Sequence, residues 1–108
     1  MTTFDDREKG FEAKYKLDKE LNFKAGARRN KLLGLWAAEL LGLEGEAADA
    51  YAREVIESDF EEAGDDDVLR KVHGDFEAKG VGQSVHQVRK HMDELMEVAL
   101  DQIMSENK

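Results

Sequence analysis

SVHQVRKHMDELMEVALDQI, residues 84–103, is the stretch whose reading decides the fold. Val85, Val88, Met92, Leu95, Met96, Ala99 and Ile103 recur every three or four positions. That spacing draws an apolar stripe along one side of an α-helix. The residues between them are mostly charged and suit a solvated face. Ser84 stands at the start, and Gln87 follows three residues later, the pattern of a capping box. A helix with such a stripe must pack against other helices or a sheet.

Working outward, the rest of the chain offers helices. KGVGQ (79–83) is a glycine break. Before it, 67–79 carries Leu69, Val72, His73 and Phe76 at helical spacing. AGDDD (63–67) is a second break, where Gly64 can end one helix and Asp65 or Asp66 can cap the next. Segment 46–63 carries Ala48, Tyr51, Ala52, Val55, Ile56 and Phe60. GLEGE (42–46) supplies two glycines able to take left-handed conformations. The first segment, 5–41, carries Leu32, Leu33, Trp36, Ala37, Leu40 and Leu41 on a broad stripe in its later half. No period-two alternation competes. The expectation is an all-α fold, a four-helix bundle with a long first helix.

At 108 residues the chain is most simply one domain with a sizeable core. It has no proline to kink a helix and no cysteine for a disulfide-linked partner or a thiolate metal site. No apolar run reaches the roughly 20 residues of a membrane span. The first residues do not resemble a signal peptide, so a cytoplasmic protein is expected. The net charge of −9 is unevenly spread. Residues 1–31 hold nine Lys or Arg against six Asp or Glu, and residues 32–108 hold seven against nineteen. The acidic body argues against nucleic acid as a partner.

The front of the first segment is unusual. Phe4, Phe11 and Tyr15 fall on one side of a helix, while Leu17 and Leu21 lie on another sector. Twenty residues of helix reach ~30 Å, and the three shorter helices have little left to cover that length. Gly10 weakens it by roughly 1 kcal/mol relative to alanine. The expectation is that 1–19 is a mobile or disordered arm when free and 20–108 the folded body. The aromatics either fold back as extra core or anchor in a groove on another protein; from the residues alone both readings stay open.

Other candidates are weaker. Arg28, Arg29 and Lys31 in ARRNK could hold a phosphate, hence ATP or ADP, though internal salt bridges to the acidic body are the simpler use. His73, His86 and His91 lack metal-ligand spacing, and no metal or other cofactor is expected. In a calcium loop begun at Asp65, the sixth position would need glycine and has Arg70. Gly80 to Gly82 lacks the lysine and hydroxyl of a phosphate loop. Trp36, Met92 and Met96 read as core. No grouping suggests an enzyme.

FDDREKGFEAKYKLDKELNFKAGARRNKLLGLWAAELLGL (4–43) resembles the zeta subunit, the ATPase inhibitor of alphaproteobacterial F1FO-ATP synthase. FDDREK and ARRNKLLGLWAAELLG are its specific parts, and the likeness extends through the last helix. The resemblance implies an inhibitor whose amino-terminal arm enters a catalytic alpha/beta interface of F1 near gamma and stops rotation in the hydrolysis direction. It implies partner-binding roles for Phe4, Asp5, Asp6, Arg7, Glu8, Lys9, Phe11 and Glu12, which match the family pattern. Tyr15 stands where an aromatic is expected, and Lys14 is taken with Arg7 and Lys9 as a cation for acidic groups at the cleft. Gly10 and Gly26 stand where better helix formers are expected. The implied place is peripheral to the inner membrane, through the F1 alpha, beta and gamma subunits, without direct membrane insertion. The alternatives are a nucleotide-binding helical sensor or a helical adaptor of another assembly.

Overall fold

The computed structural model describes the backbone over 3–61 and 64–106, with side chains from Lys19 onward. Four helices follow in order: α1 Thr3–Leu40, α2 Gly45–Ser58, α3 Asp66–Lys79 and α4 Val85–Glu106. The all-helical expectation is met, with the breaks where the glycines stand. Helix α1 is the central element and packs mainly on α2 and α4. The side chains of the proposed arm, Phe4 to Tyr15, and the expectation that the arm is mobile lie outside the described residues.

Two helix ends close in the same way. At the end of α1, the Leu43 amide donates to the Ala38 carbonyl at 2.8 Å and Gly42 to Glu39 at 3.1 Å. At the end of α3, Val81 donates to Phe76 at 2.8 Å and Gly80 to Glu77 at 3.2 Å. These are paired bonds five and three residues back, the Schellman pattern, which needs a left-handed residue after the helix. Gly42 (φ 79°) and Gly80 (φ 73°) supply it at no steric cost. The start of α4 is the capping box read from the sequence. The Ser84 amide donates to Gln87 Oε1 at 2.8 Å, and the Gln87 amide donates to Ser84 Oγ at 3.1 Å.

The core joins all four helices: Leu33, Ala37 and Ala38 from α1, Tyr51 and Val55 from α2, Val68, Val72 and Phe76 from α3, and Val88 and Met92 from α4. Helices α1 and α2 touch at backbone distance. A methyl group placed on Gly34 would lie 2.6 Å from the Ala52 Cα. Gly34 and Ala52 together therefore set how near the two axes come. Trp36 meets Phe76 edge to face, with ring centroids 5.5 Å apart.

Several expectations need correction. Helix α2 stops at Ser58 rather than running to position 63. Ser58 Oγ donates to the Val55 carbonyl, and the amides of Asp59, Phe60 and Glu61 reach back only three residues, so the last turn tightens and departs. Phe60, placed at helical spacing in that segment, is then past the helix and 76% exposed. Asp65 does occupy the position before α3, but its side chain does not cap; two arginines claim the carboxylate instead. On α3 the sealed residue is Val68 rather than Leu69, which is half-buried, and on α4 Val85 is exposed at the helix start.

Candidate functional site

Ala25 is the first buried residue of α1 among those with described side chains. Lys19, Glu20, Asn22, Phe23 and Lys24 before it are exposed, and Leu21 is half-buried. Among the described side chains α1 thus contributes to the core from Ala25 onward, and its backbone is one continuous helix from Thr3.

At the junction, the ARRNK residues go separate ways. Arg28 donates to Gln102 Oε1 at 2.8 Å and pairs with Glu106 at 2.9 Å, tying α1 to the end of α4. The hydrogen bond from Arg28 holds the Glu106 carboxyl below its ordinary range. Arg29 is buried; its Nε donates to Asn30 Oδ1 at 2.8 Å and its Nη1 to Asp65 Oδ2 at 3.2 Å. Asn30, also buried, donates its amide to Asp59 Oδ2 at 2.9 Å. Lys31 points to the surface beside Asp49 and Arg53. The three cations do not gather around one point, and two of them make the internal pairs that the charge pattern favoured.

Asp65 is the hub of this junction. Besides Arg29 it accepts from Arg89 of α4 at 2.8 Å, and Arg89 reaches Asp66 at 2.6 Å. Partial burial pushes the Asp65 carboxyl up, but the Arg89 hydrogen bond and the charges of Arg89 and Arg29 outweigh it and hold it low. The loop between α2 and α3 is thereby bound to α1 and α4.

Sequence reasoning passed over one feature here. Phe23 of α1 and Phe60 beyond α2 are 75% and 76% exposed, and both border a hollow of about 370 Å³. Ile56 and Gly26 line it, and Arg29, Asn30, Asp59 and Asp65 border it. The available signal was Phe23, a large aromatic off the apolar stripe.

Of the three histidines, His73 and His91 are half-buried and His86 is exposed. His91 stacks on Trp36 with ring centroids 3.9 Å apart, which makes Trp36 a half-buried aromatic rather than a sealed one. His73 is half-buried and 3.4 Å from Glu77. Among the described residues, no three His, Asp or Glu side chains converge as a ligand set. On α2 and α3, Tyr51 donates to Asp75 at 2.8 Å while Lys71 pairs with Asp75 and Glu54. Burial, then the Asp75 hydrogen bond, pushes the Tyr51 hydroxyl far above its usual range.

This geometry defines a class: a small all-helical protein whose long first helix packs on the three shorter ones. The chain belongs to the ATPase inhibitor subunit zeta family, whose model matches residues 1–102, in agreement with the resemblance carried by 4–43. A protein solved by solution NMR is 53% identical, with a TM-score of 0.70, over 80% of this chain and 98% of the other. No curated protein matches the chain. No helix among the described residues is long and apolar enough to cross a membrane.

Proposed function

We propose that this protein inhibits ATP hydrolysis by F1FO-ATP synthase by placing its residues 1–19 in a catalytic alpha/beta interface of F1, near gamma. The arm acts as a wedge that opposes rotation in the hydrolysis direction. Phe4, Phe11 and Tyr15 are its apolar anchors. Arg7, Lys9 and Lys14 pair with acidic groups of the cleft, and Asp5, Asp6, Glu8 and Glu12 keep the free arm soluble and favour a helix start. The chain does no chemistry itself, and its association with the inner membrane is indirect, through F1.

The observation that carries this reading is the family match, which begins at residue 1 and so includes the arm. The burial pattern supports it: from Lys19, where the described side chains begin, the first buried residue of α1 is Ala25. The test compares the full chain with a form lacking 1–19 in an ATP-hydrolysis assay on the cognate F1. The shortened form should keep its helical circular dichroism and cooperative melting and lose inhibition. Equal inhibition by both forms would overturn the reading.

A further inference from the structure

We propose that the hollow between Phe23, Ile56 and Phe60 is a second docking surface for F1. It would receive an exposed segment beside the cleft that the arm enters, carrying an apolar side chain flanked by Lys or Arg. This rests on the insertion reading above and adds to it a site on the folded body. Single exposed apolar residues are ordinary on protein surfaces. Here two phenylalanines from different elements, each about three-quarters exposed, border the same hollow of about 370 Å³. Aromatic side chains at the edge of a preformed hollow are the usual anchors of a protein interface.

The hollow is preformed because its floor is fixed. Arg29 and Asn30 are buried and bonded to each other, to Asp59 at the exit of α2, and to Asp65 at the entry to α3. Little ordering of that floor is left to occur on binding, which favours affinity. Position points to F1 as the occupant. Phe23 lies eight residues after Tyr15 on one helix, a rise of roughly 12 Å. A partner that grips the arm through Tyr15 therefore stands next to the hollow.

Charge selects the flanking residues of that segment. Asp59 takes a neutral amide from Asn30 rather than a cation, and Glu61 beside it is exposed. The rim at the exit of α2 is thus acidic, whereas the exposed Lys19 and Lys24 stand beside Phe23 on the α1 side.

Three full-length proteins test this on cognate F1: wild type, Phe23→Ala with Phe60→Ala, and Phe4→Ser with Phe11→Ser and Tyr15→Ser. The first pair of substitutions should raise the half-inhibitory concentration roughly tenfold, the scale of losing interface anchors. Complete inhibition should still be reached at saturation, with melting unchanged. The arm substitutions should abolish inhibition at every concentration. If the Phe23/Phe60 variant matches wild type while the arm variant fails, the hollow is not a docking surface and insertion stands. If the arm variant inhibits like wild type, both readings fall. Amide exchange of the wild-type protein should slow at 22–30 and 56–61 when F1 is added; unchanged exchange there overturns the proposal whatever the variants do. A dimer in sedimentation that Phe23→Ala with Phe60→Ala abolishes would give the hollow to a second copy, and would likewise overturn it.

Discussion

Asp65 shows how much a single side chain does in this protein. It stands where a helix cap was expected, yet it binds Arg29 of α1 and Arg89 of α4. A cap satisfies one local amide, whereas this carboxylate joins three parts of the chain. The sequence placed it next to a glycine and ahead of a helix, so local pattern suggested a local role. The pairing with Arg29 spans 36 positions, and no local pattern reports that. The consequence appears in pH dependence. The folded carboxyl is held below its ordinary value of 3.8. A depressed folded value means that the ionised form stabilises the fold above the unfolded value. That stability is lost as pH falls below 3.8 and through the lower folded value. Melting followed across this acid range should therefore show a decline in the wild type that is shallower in Asp65→Asn. The variant should also start from a lower melting temperature at neutral pH. Parallel acid profiles would show that Asp65 does not couple folding to protonation.

At the scale of helices, the breaks were easier to read than the ends of α2. Glycines at 42 and 80 mark helix ends because only a left-handed residue can close those turns, and the capping box at Ser84 uses neighbours three residues apart. The end of α2 was misread because Phe60 keeps helical spacing with Ile56. Just past the helix end Asp59 accepts from Asn30 of α1, a contact that local spacing does not report. Likewise Val68, Val72 and Phe76 repeat every four residues, but choosing them over Leu69 requires knowing how α3 is rotated against its neighbours. Two α1 glycines separate packing from propensity. Gly34 abuts the Ala52 backbone, while a methyl on Gly26 would meet nothing within 4 Å. Gly34→Ala should push α1 and α2 apart and cost about 1–3 kcal/mol. Gly26→Ala should add about 0.5–1 kcal/mol by lowering the freedom of the unfolded chain. Urea unfolding of both variants checks this; if the two shift stability in the same direction, the close helix contact is not what fixes Gly34.

For the molecule as a whole, fold and charge pattern were readable, and the hollow beside Phe23 and Phe60 was not. A bundle follows from stripes along single helices, whereas the hollow arises where α1, the exit of α2 and the entry to α3 meet. The charge pattern bears directly on the proposed function. Nine of the sixteen Lys and Arg residues fall in 1–31, while the remainder of the chain is strongly acidic. If the cations of the arm lead the encounter with acidic groups on F1, the attraction is screened as salt rises, with a Debye length of ~10 Å at 0.1 M. The onset of inhibition should then slow several-fold between about 50 and 200 mM salt, as steered associations do. Lys9→Gln with Lys14→Gln should remove most of that dependence while changing the dissociation rate less. If instead the acidic body dominates and meets an acidic surface, salt would speed the onset, because repulsion is what would be screened. Timing the loss of hydrolysis after mixing, at several salt concentrations, distinguishes these by sign. A faster onset at high salt would remove Arg7, Lys9 and Lys14 from the leading role assigned to them.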